Sequence, residues 1–203
     1  MNKGKLYIVS GPSGSGKDTV VGLVMQKLGD ESRISVSMTT RQPRGQEKEG
    51  VDYFYVSEES FLNNVEQGNM LEYARYGRYY YGTPKAPVEK WLEEGKVVFL
   101  VIEVNGGENI KKYFPDAEKI FILPPSLGVL EQRLRGRGTE DDDAVSRRMT
   151  IAREEIKRAV EYDYIIVNDL LDDAVNSVIS IVEAQKLRTA NMKNKISEVL
   201  ENA

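Results

Sequence analysis

The residues with the clearest capacity for chemistry form a glycine-rich run that follows an apolar stretch and precedes a helical one. The run is Gly11-Pro12-Ser13-Gly14-Ser15-Gly16-Lys17. Glycines at this spacing let backbone N–H groups approach a phosphate, and the N-terminus of the next helix adds partial positive charge. The lysine reaches the β- and γ-phosphates of a nucleoside triphosphate. We therefore predict a triphosphate site over residues 11–19 and not a ligand-free turn, because the preceding strand, the spacing of the glycines and the lysine all match a phosphate-binding loop.

One position departs from the usual form of this loop. The residue after the lysine is normally Ser or Thr, which holds magnesium, but here it is Asp18, followed by Thr19. Consecutive residues in the first turn of a helix lie about 100° apart, so both cannot face the phosphates equally. A carboxylate beside phosphate charge is repulsive unless a cation lies between them. We predict Thr19 as the Mg²⁺ ligand, with Asp18 as the alternative.

A segment crowded with charge, residues 133–148, contains Gly136 and Gly138, and its arginines include Arg133, Arg137 and Arg148. This composition predicts a mobile lid, although a simply solvated charged helix is the alternative. Arginines that arrive on closure can stabilise charge on a transferring phosphoryl group. Closure also keeps water away from that group.

The composition excludes several kinds of chemistry. The chain has no histidine, which removes the usual general base and zinc ligand, and no cysteine, which removes disulfides and thiol nucleophiles. Phosphoryl transfer survives these exclusions because it depends mainly on positioning and electrostatics. The net charge of −4 argues against a general nucleic-acid binder. Without an apparent signal peptide or membrane-spanning run, we expect a cytoplasmic protein.

The elements that must position these residues follow from four short, continuously apolar runs. They are Leu6–Val9, Val97–Ile102, Ile120–Leu123 and Ile165–Val167. Runs of this kind are typical of strands buried on both faces, as in a parallel sheet. Helical stretches separate them: from Lys17 to near Gly29, from Thr83-Pro84 to Gly95, from about Asp143 to Glu161, and from about Asp172 onward. This alternation predicts an α/β fold.

We expect one domain with mobile parts over residues 1–203. The core would comprise residues 1–36, 93–132 and 149–203, with the lid at about 133–148. Shorter strand-like pieces between residues 37 and 82 predict an inserted, mostly β lobe, which we place at about 37–92. The polar tail after Ala184 could extend the last helix or fray. The sequence leaves the oligomeric state open.

Several short motifs lie outside the phosphate loop. In chain order they are Ser37-Met38-Thr39-Thr40-Arg41-Gln42-Pro43-Arg44, Asp52-Tyr53, Glu72, Tyr80-Tyr81-Gly82-Thr83, Pro124-Pro125-Ser126, Gly136-Arg137-Gly138-Thr139 and Val167-Asn168-Asp169. Arg41 and Arg44 present forked donors suited to a phosphate monoester. Each motif is unremarkable alone, but together they resemble the guanylate kinase family over about residues 5–185. The resemblance implies the fold of phosphate-loop nucleoside monophosphate kinases, and phosphorylation of GMP, and of dGMP, by ATP with Mg²⁺.

The resemblance also implies a role for each matching residue. Lys17, Arg133, Arg137 and Arg148 would act on the transferring phosphoryl group, and residues 11–19 would bind ATP. The residues implied for GMP binding are Ser37, Arg41, Arg44, Tyr53, Glu72, Tyr81, Thr83 and Glu103. Glu103 stands where the family usually has Asp. Val101 stands where family members commonly carry an acidic residue, so a metal or water role for that position is doubtful.

The guanine assignment also has support from chemistry. Guanine presents N1–H and an exocyclic amino group side by side, and the carboxylate of Glu72 can accept from both. Adenine offers an acceptor at N1 and lacks the 2-amino group, so the same carboxylate would reject it.

Two other functions compete with this one. A non-catalytic guanylate-kinase-like interaction module would be expected to lose Lys17 or the lid arginines, which this chain keeps. A kinase for another phosphorylated acceptor, such as a sugar phosphate, would keep the phosphate loop but would not need Glu72 and Thr83.

Overall fold

The computed structural model describes residues 3–136 and 141–201. Its strands are Lys5–Ser10 (β1), Ser32–Ile34 (β2), Met38–Thr39 (β3), Phe54–Tyr55 (β4), Met70–Tyr76 (β5), Tyr79–Pro84 (β6), Val97–Val101 (β7), Glu118–Leu123 (β8) and Tyr164–Val167 (β9). Its helices are Lys17–Leu28 (α1), Glu58–Glu66 (α2), Lys85–Glu93 (α3), Val104–Tyr113 (α4), Leu127–Arg135 (α5), Asp142–Lys157 (α6), Leu171–Lys186 (α7) and Thr189–Glu201 (α8).

The main sheet is parallel and has the strand order β2-β7-β1-β8-β9. Its central strand is β1, in which Ile8 pairs with Leu100 on one side and with Lys119 on the other. The four apolar runs of the sequence form four of these strands, so the predicted parallel α/β fold is confirmed. The short strand β2 was not predicted, because Ser-Arg-Ile carries no apolar run.

Two hydrophobic clusters cover the two faces of this sheet. Side chains alternate along a strand, so β1 directs Tyr7 and Val9 toward α1 and α7, and Leu6 and Ile8 toward α3 and α4. Burial on both faces explains why the strand sequences are continuously apolar and do not alternate.

A smaller, mixed sheet with the order β4-β3-β6-β5 lies within the predicted inserted lobe. Strands β5 and β6 form an antiparallel hairpin, and Phe61 of α2 stacks on Tyr80 with 5.5 Å between ring centroids. Helix α3, which the sequence analysis included in the lobe, packs Val88 and Leu92 into the core beside β7. The lobe is therefore a mixed sheet with one helix, and α3 packs with the main sheet.

Several helix boundaries differ from the predictions. Thr83, predicted to begin a helical stretch, lies in β6, and α3 begins at Lys85 after Pro84. Helix α6 ends at Lys157 and is followed by a 3₁₀ turn, and α8 is a helix separate from α7. Helices α2, α4 and α5 were not predicted, because each is short and rich in polar residues.

The predicted lid is bounded by two helices that pack on each other. Leu130 and Leu134 of α5 meet Val145 and Met149 of α6. The Asp141 carboxylate caps α6 by accepting from the Ala144 N–H at 2.7 Å. Arg137, predicted from the sequence as a lid arginine, lies outside the described residues. No described helix is long and apolar enough to cross a membrane.

The sheet core makes a stability prediction. Phe121 of β8 is fully buried and meets Tyr162 edge-on, with 5.0 Å between ring centroids. We expect Phe121→Ala to lower the free energy of unfolding by about 3–5 kcal/mol, since it removes a large buried side chain and leaves a cavity. Leu200→Ala, at an exposed position of α8, is the control and should change it by less than about 0.5 kcal/mol. Urea unfolding measures both, and equal losses would contradict the described core.

Candidate active site

A cleft lies where β1 and β7 end, between the phosphate loop and the inserted lobe. It has a volume of about 400 Å³. Its lining residues are Ser13, Lys17, Asp18, Ser37, Arg41, Arg44, Tyr53, Glu72, Ala74, Tyr76, Tyr81, Gly82, Val101, Ile102, Glu103, Gly106 and Arg148. Most residues predicted from the sequence meet here. Ala74, Tyr76, Gly82, Ile102 and Gly106 were not predicted, and nothing in their residue types pointed to a site.

The phosphate loop has the backbone that its glycines predict. Gly14 and Gly16 have φ of 89° and 88°, a left-handed region that other residues rarely adopt. A Cβ on Gly16 would lie only 2.3 Å from Nδ2 of Asn168, so this position also lacks room for a side chain. Helix α1 begins immediately afterwards, at Lys17. The loop therefore offers backbone N–H groups and a helix N-terminus at the cleft.

Two side chains hold this loop from behind. Asn168 donates from Nδ2 to the Ser15 carbonyl at 2.8 Å, and Arg133 donates to the same carbonyl at 3.4 Å. Arg133 also donates to the Asn168 carbonyl at 3.0 Å. Asn168 of the Val-Asn-Asp motif therefore has a structural role, which is to hold the phosphate loop. Arg133 contacts the phosphate loop but is not among the residues that line the cleft. Arg148 does line the cleft and donates to Ser13 Oγ at 3.1 Å.

The carboxylate of Glu72 is held at one end of the cleft. Thr83, which is fully buried, donates its hydroxyl to Oε1 of Glu72 at 2.7 Å. Burial raises the pKa of Glu72, and the hydrogen bond from Thr83 partly offsets this rise. Gly106 of α4 provides the space for the carboxylate, since a Cβ there would lie 2.9 Å from Oε2. Thr83 therefore acts on the Glu72 carboxylate and does not itself line the cleft.

The predicted phosphate-binding arginines lie on the lobe side. Arg41 is almost completely buried, and its guanidinium lies over the Tyr53 ring at 5.0 Å. Its partner is Glu47, whose carboxylate accepts from both terminal nitrogens, at 2.6 and 2.7 Å. Hydrogen bonding to Arg41 lowers the pKa of Glu47 to about 2. The sequence analysis did not identify Glu47 as a partner of Arg41. Its position, three residues after Arg44, was the one feature of the sequence that placed an acidic residue close to the two arginines.

Two acidic side chains, Glu103 and Glu155, lie close enough to influence each other electrostatically, and Lys17 lies near Glu155. Burial, followed by the charge of Glu103, raises the pKa of Glu155 to about 7, while Lys17 acts in the opposite direction. Tyr76 has a raised pKa because it is buried and hydrogen-bonded to Glu103. Glu103 precedes α4, and Val101 lines the cleft beside it.

The two candidate magnesium ligands have different positions. Both residues are exposed, but Asp18 is among the residues that line the cleft and Thr19 is not. Asp18 therefore borders the same cleft as Lys17.

The fold and the cleft together define a phosphate-loop nucleotide kinase: a triphosphate loop at the end of a parallel sheet faces a lobe with paired arginines and a buried carboxylate. The sequence model of the guanylate kinase family matches residues 3–185. This chain therefore belongs to the guanylate kinase family, which confirms the resemblance found in its sequence.

Individual relatives agree with this assignment. A guanylate kinase of Synechocystis sp. is 44% identical over 180 residues, which cover 89% of this chain and 94% of the relative. A guanylate kinase of Lactobacillus johnsonii is 44% identical over 193 residues, or 95% of each chain. The crystal structure of guanylate kinase from Anaplasma phagocytophilum has a TM-score of 0.78 and 29% identity, and the match covers 94% of this chain and 90% of that one.

The raised pKa of Glu155 makes a prediction about stability and pH. Because the pKa rises from 4.5 in the reference state to about 7 in the folded protein, folding favours the protonated carboxyl. Stability is then lost as pH rises from about 4.5 to about 7, and the loss is complete above that range. Glutamine cannot ionise, so Glu155→Gln avoids this loss. We expect the melting temperature of Glu155→Gln, relative to that of the native protein, to increase as pH rises from about 4.5 to about 7 and to stay constant at higher pH.

The matched control for this experiment is Glu154→Gln. Glu154 lies next to Glu155 on α6 but is exposed and pairs with Lys157 at 2.7 Å. Its melting temperature relative to the native protein should not depend on pH over the same range. A constant difference between Glu155→Gln and the native protein from pH 5 to 8 would contradict the described surroundings of Glu155.

Proposed function

We propose that this protein is a guanylate kinase, which transfers the terminal phosphoryl group of ATP to GMP, or dGMP, and forms GDP, or dGDP, and ADP. The observation that carries the proposal is the Glu72 carboxylate, which is held by Thr83 in the same cleft as the Lys17 phosphate loop. A triphosphate loop alone would support many functions. A buried acceptor group at the far end of the cleft restricts the second substrate to a base with adjacent donors.

Recognition of guanine is the task that Glu72 suits. Ionised Glu72 offers two acceptor oxygens, of which Oε1 already accepts from Thr83. Guanine supplies N1–H and an amino group in the plane of such a carboxylate. Adenine would leave the buried carboxylate without a donor and would place its own N1 acceptor against it, which is costly in a desolvated site.

The remaining roles follow from position in the cleft. Arg41, Arg44, Tyr53 and Tyr81 line its lobe side, where the phosphate of GMP would lie. Lys17 and Arg148 line its other side, where they would neutralise charge on the transferring group. Arg133 would keep the phosphate loop in place, and Arg137 is retained as a lid arginine from the sequence. Lid closure would exclude water from the reaction.

Magnesium would accompany the ATP. Among the described residues, no group of three or more acidic or histidine side chains could hold a metal ion. The residues present therefore suit an ion held mainly by the phosphates of ATP, with one protein oxygen in support. When bound, the ion neutralises charge on the β- and γ-phosphate oxygens. Asp18 is the better placed of the two candidates, because it is among the residues that line the cleft and Thr19 is not.

The alternative functions have less support. Lys17 and Arg148 both line the cleft, which favours a catalytic protein over an interaction module. Another phosphorylated acceptor would not use the Thr83–Glu72 hydrogen bond. ATP and GMP are thus the proposed partners, with no nucleic acid or membrane, and the cytoplasm is the proposed location.

Acceptor choice tests the function. With ATP as donor, we expect GMP and dGMP to be phosphorylated and AMP and UMP to have a kcat/KM lower by at least about 10³-fold. Glu72→Gln should raise the KM for GMP about 10–100-fold, since a hydrogen bond to a charged group is lost. Glu66→Gln, at an exposed position of α2, should leave it unchanged. Equal use of AMP and GMP by the native protein would refute the function.

The metal assignment has its own test. We expect Asp18→Asn to increase the Mg²⁺ concentration for half-maximal activity by about 5–10-fold, because a charged oxygen near the ion becomes neutral. Thr19→Val should have little effect, since its side chain does not line the cleft. Activity is measured against total Mg²⁺ at fixed ATP. A shift in Thr19→Val alone would restore the assignment made from sequence.

A further inference from the structure

We propose that a groove behind β5, separate from the cleft, is a second binding site, for a nucleoside monophosphate, and that its occupant weakens binding of GMP. The groove has a volume of about 540 Å³, which is within the range of small-molecule sites. The part of the inference that concerns GMP rests on the proposed function. The binding site itself rests on the groove alone.

The groove lies at the junction of the inserted lobe and the core. Its lobe side includes Val65 at the end of α2 and Tyr73 of β5. Its core side includes Lys85 at the start of α3, and Lys112 and Tyr113 at the end of α4. A ligand in the groove would therefore contact both parts of the molecule that border the cleft.

The charged side chains of the groove favour an anion. Lys85 pairs with Glu89 at 3.7 Å, and Lys112 donates to the side-chain oxygen of Asn109 at 3.3 Å. Contacts of this length between exposed side chains are weak, so a phosphate can replace them at little cost. Two ammonium groups also match the double negative charge of one phosphate monoester. The groove is therefore suited to a ligand with a single phosphate group.

Two tyrosines add a flat apolar surface to the same groove. Tyr73 and Tyr113 both line it, and both side chains are exposed. The ring of Tyr73 meets Phe61 edge-on, with 6.4 Å between ring centroids, which restricts its position. A nucleobase stacks on such a ring whatever its identity. A nucleoside monophosphate uses both the rings and the lysines, and inorganic phosphate uses the lysines alone.

Glu72 connects the groove to the cleft, because it lines both spaces. On the cleft side its carboxylate lies between Thr83, which donates to Oε1, and Gly106 of α4, where a Cβ would lie 2.9 Å from Oε2. The room for guanine at Oε2 therefore depends on the spacing of β5 and α4. A ligand that contacts both elements from the groove holds this spacing and opposes its adjustment to guanine. By linkage, GMP weakens binding of the groove ligand by the same factor.

AMP is the probe for the experiment, because the Glu72 carboxylate would reject adenine in the cleft. At a fixed, saturating ATP concentration, we expect AMP to raise the KM for GMP about fivefold and then to have no further effect. The plateau follows because both ligands can be bound at once, and kcat should stay within about twofold. Ribose 5-phosphate, which has the phosphate but no base, should need about tenfold higher concentrations for the same effect.

Variants of the groove locate the effect. Lys85→Gln should raise the AMP concentration for half-maximal effect about 3–5-fold, and Tyr113→Ala should raise it about tenfold. The matched control is Lys90→Gln, which removes the same charge from α3. Lys90 pairs with Glu94 at 3.9 Å and is not among the residues that line the groove, so this variant should respond to AMP as the native protein does. In all three variants, the KM for GMP without AMP should be unchanged.

Direct binding separates this inference from the function. Equilibrium dialysis with AMP needs no activity, and we expect weaker binding to Lys85→Gln and Tyr113→Ala than to the native protein and Lys90→Gln. If that pattern holds and GMP is not phosphorylated, the proposed function alone fails. Equal AMP binding by all four proteins overturns the site, as does equal potency of ribose 5-phosphate and AMP. A KM for GMP that falls, stays constant or rises without a plateau as AMP increases overturns the regulation.

Discussion

The parallel alignment of the central strands is the constraint on which the site depends. Because β1, β7 and β8 run in one direction, their carboxyl ends and the loops that follow them meet at one edge of the sheet. The phosphate loop follows β1, and Glu103 and α4 follow β7. Asn168 follows β9 and closes the loop from behind. Burial of the sheet on both faces holds these ends rigidly, so groups distant in sequence have fixed positions in one cleft.

The cleft places charges of both signs in a partly desolvated space. Lys17, Arg41 and Arg148 contribute cations, and Glu72 and Glu103 contribute carboxyl groups, with Glu155 close enough to feel the charges of Glu103 and Lys17. Burial raises the pKa of Glu72 and Glu155, because a desolvated carboxylate is costly without a partner. Arg41 and Glu47 avoid this cost by pairing directly. Charged groups that border the cleft are suited to substrates, since a nucleotide supplies both hydrogen-bond donors and anionic phosphates.

The extent to which the site could be predicted depended on the kind of signal. The glycine-rich loop, Glu72 and the two lobe arginines form compact motifs, and all of them border the cleft. Tyr76 and Gly106 do so as well, but a tyrosine and a glycine occur in many settings and carry no motif. Arg133 was predicted to act on the phosphoryl group, and in the described structure it donates to the carbonyl groups of Ser15 and Asn168. An arginine's reach of several ångströms makes its partner unpredictable from sequence position.

The sequence by itself determined the parallel core, the phosphate loop and the family, because continuous apolar runs and closely spaced motifs are local patterns. Only the tertiary structure decided which side chain faces which. It placed Asp18 and not Thr19 among the residues that line the cleft, Thr83 in contact with Glu72, and Glu47 in contact with Arg41. The contact of Thr83 with Glu72 depends on the pairing of β5 with β6, and the contact of Glu47 with Arg41 depends on the turn after Arg44. Such contacts depend on the directions of side chains in a packed fold, and residue order does not specify those directions.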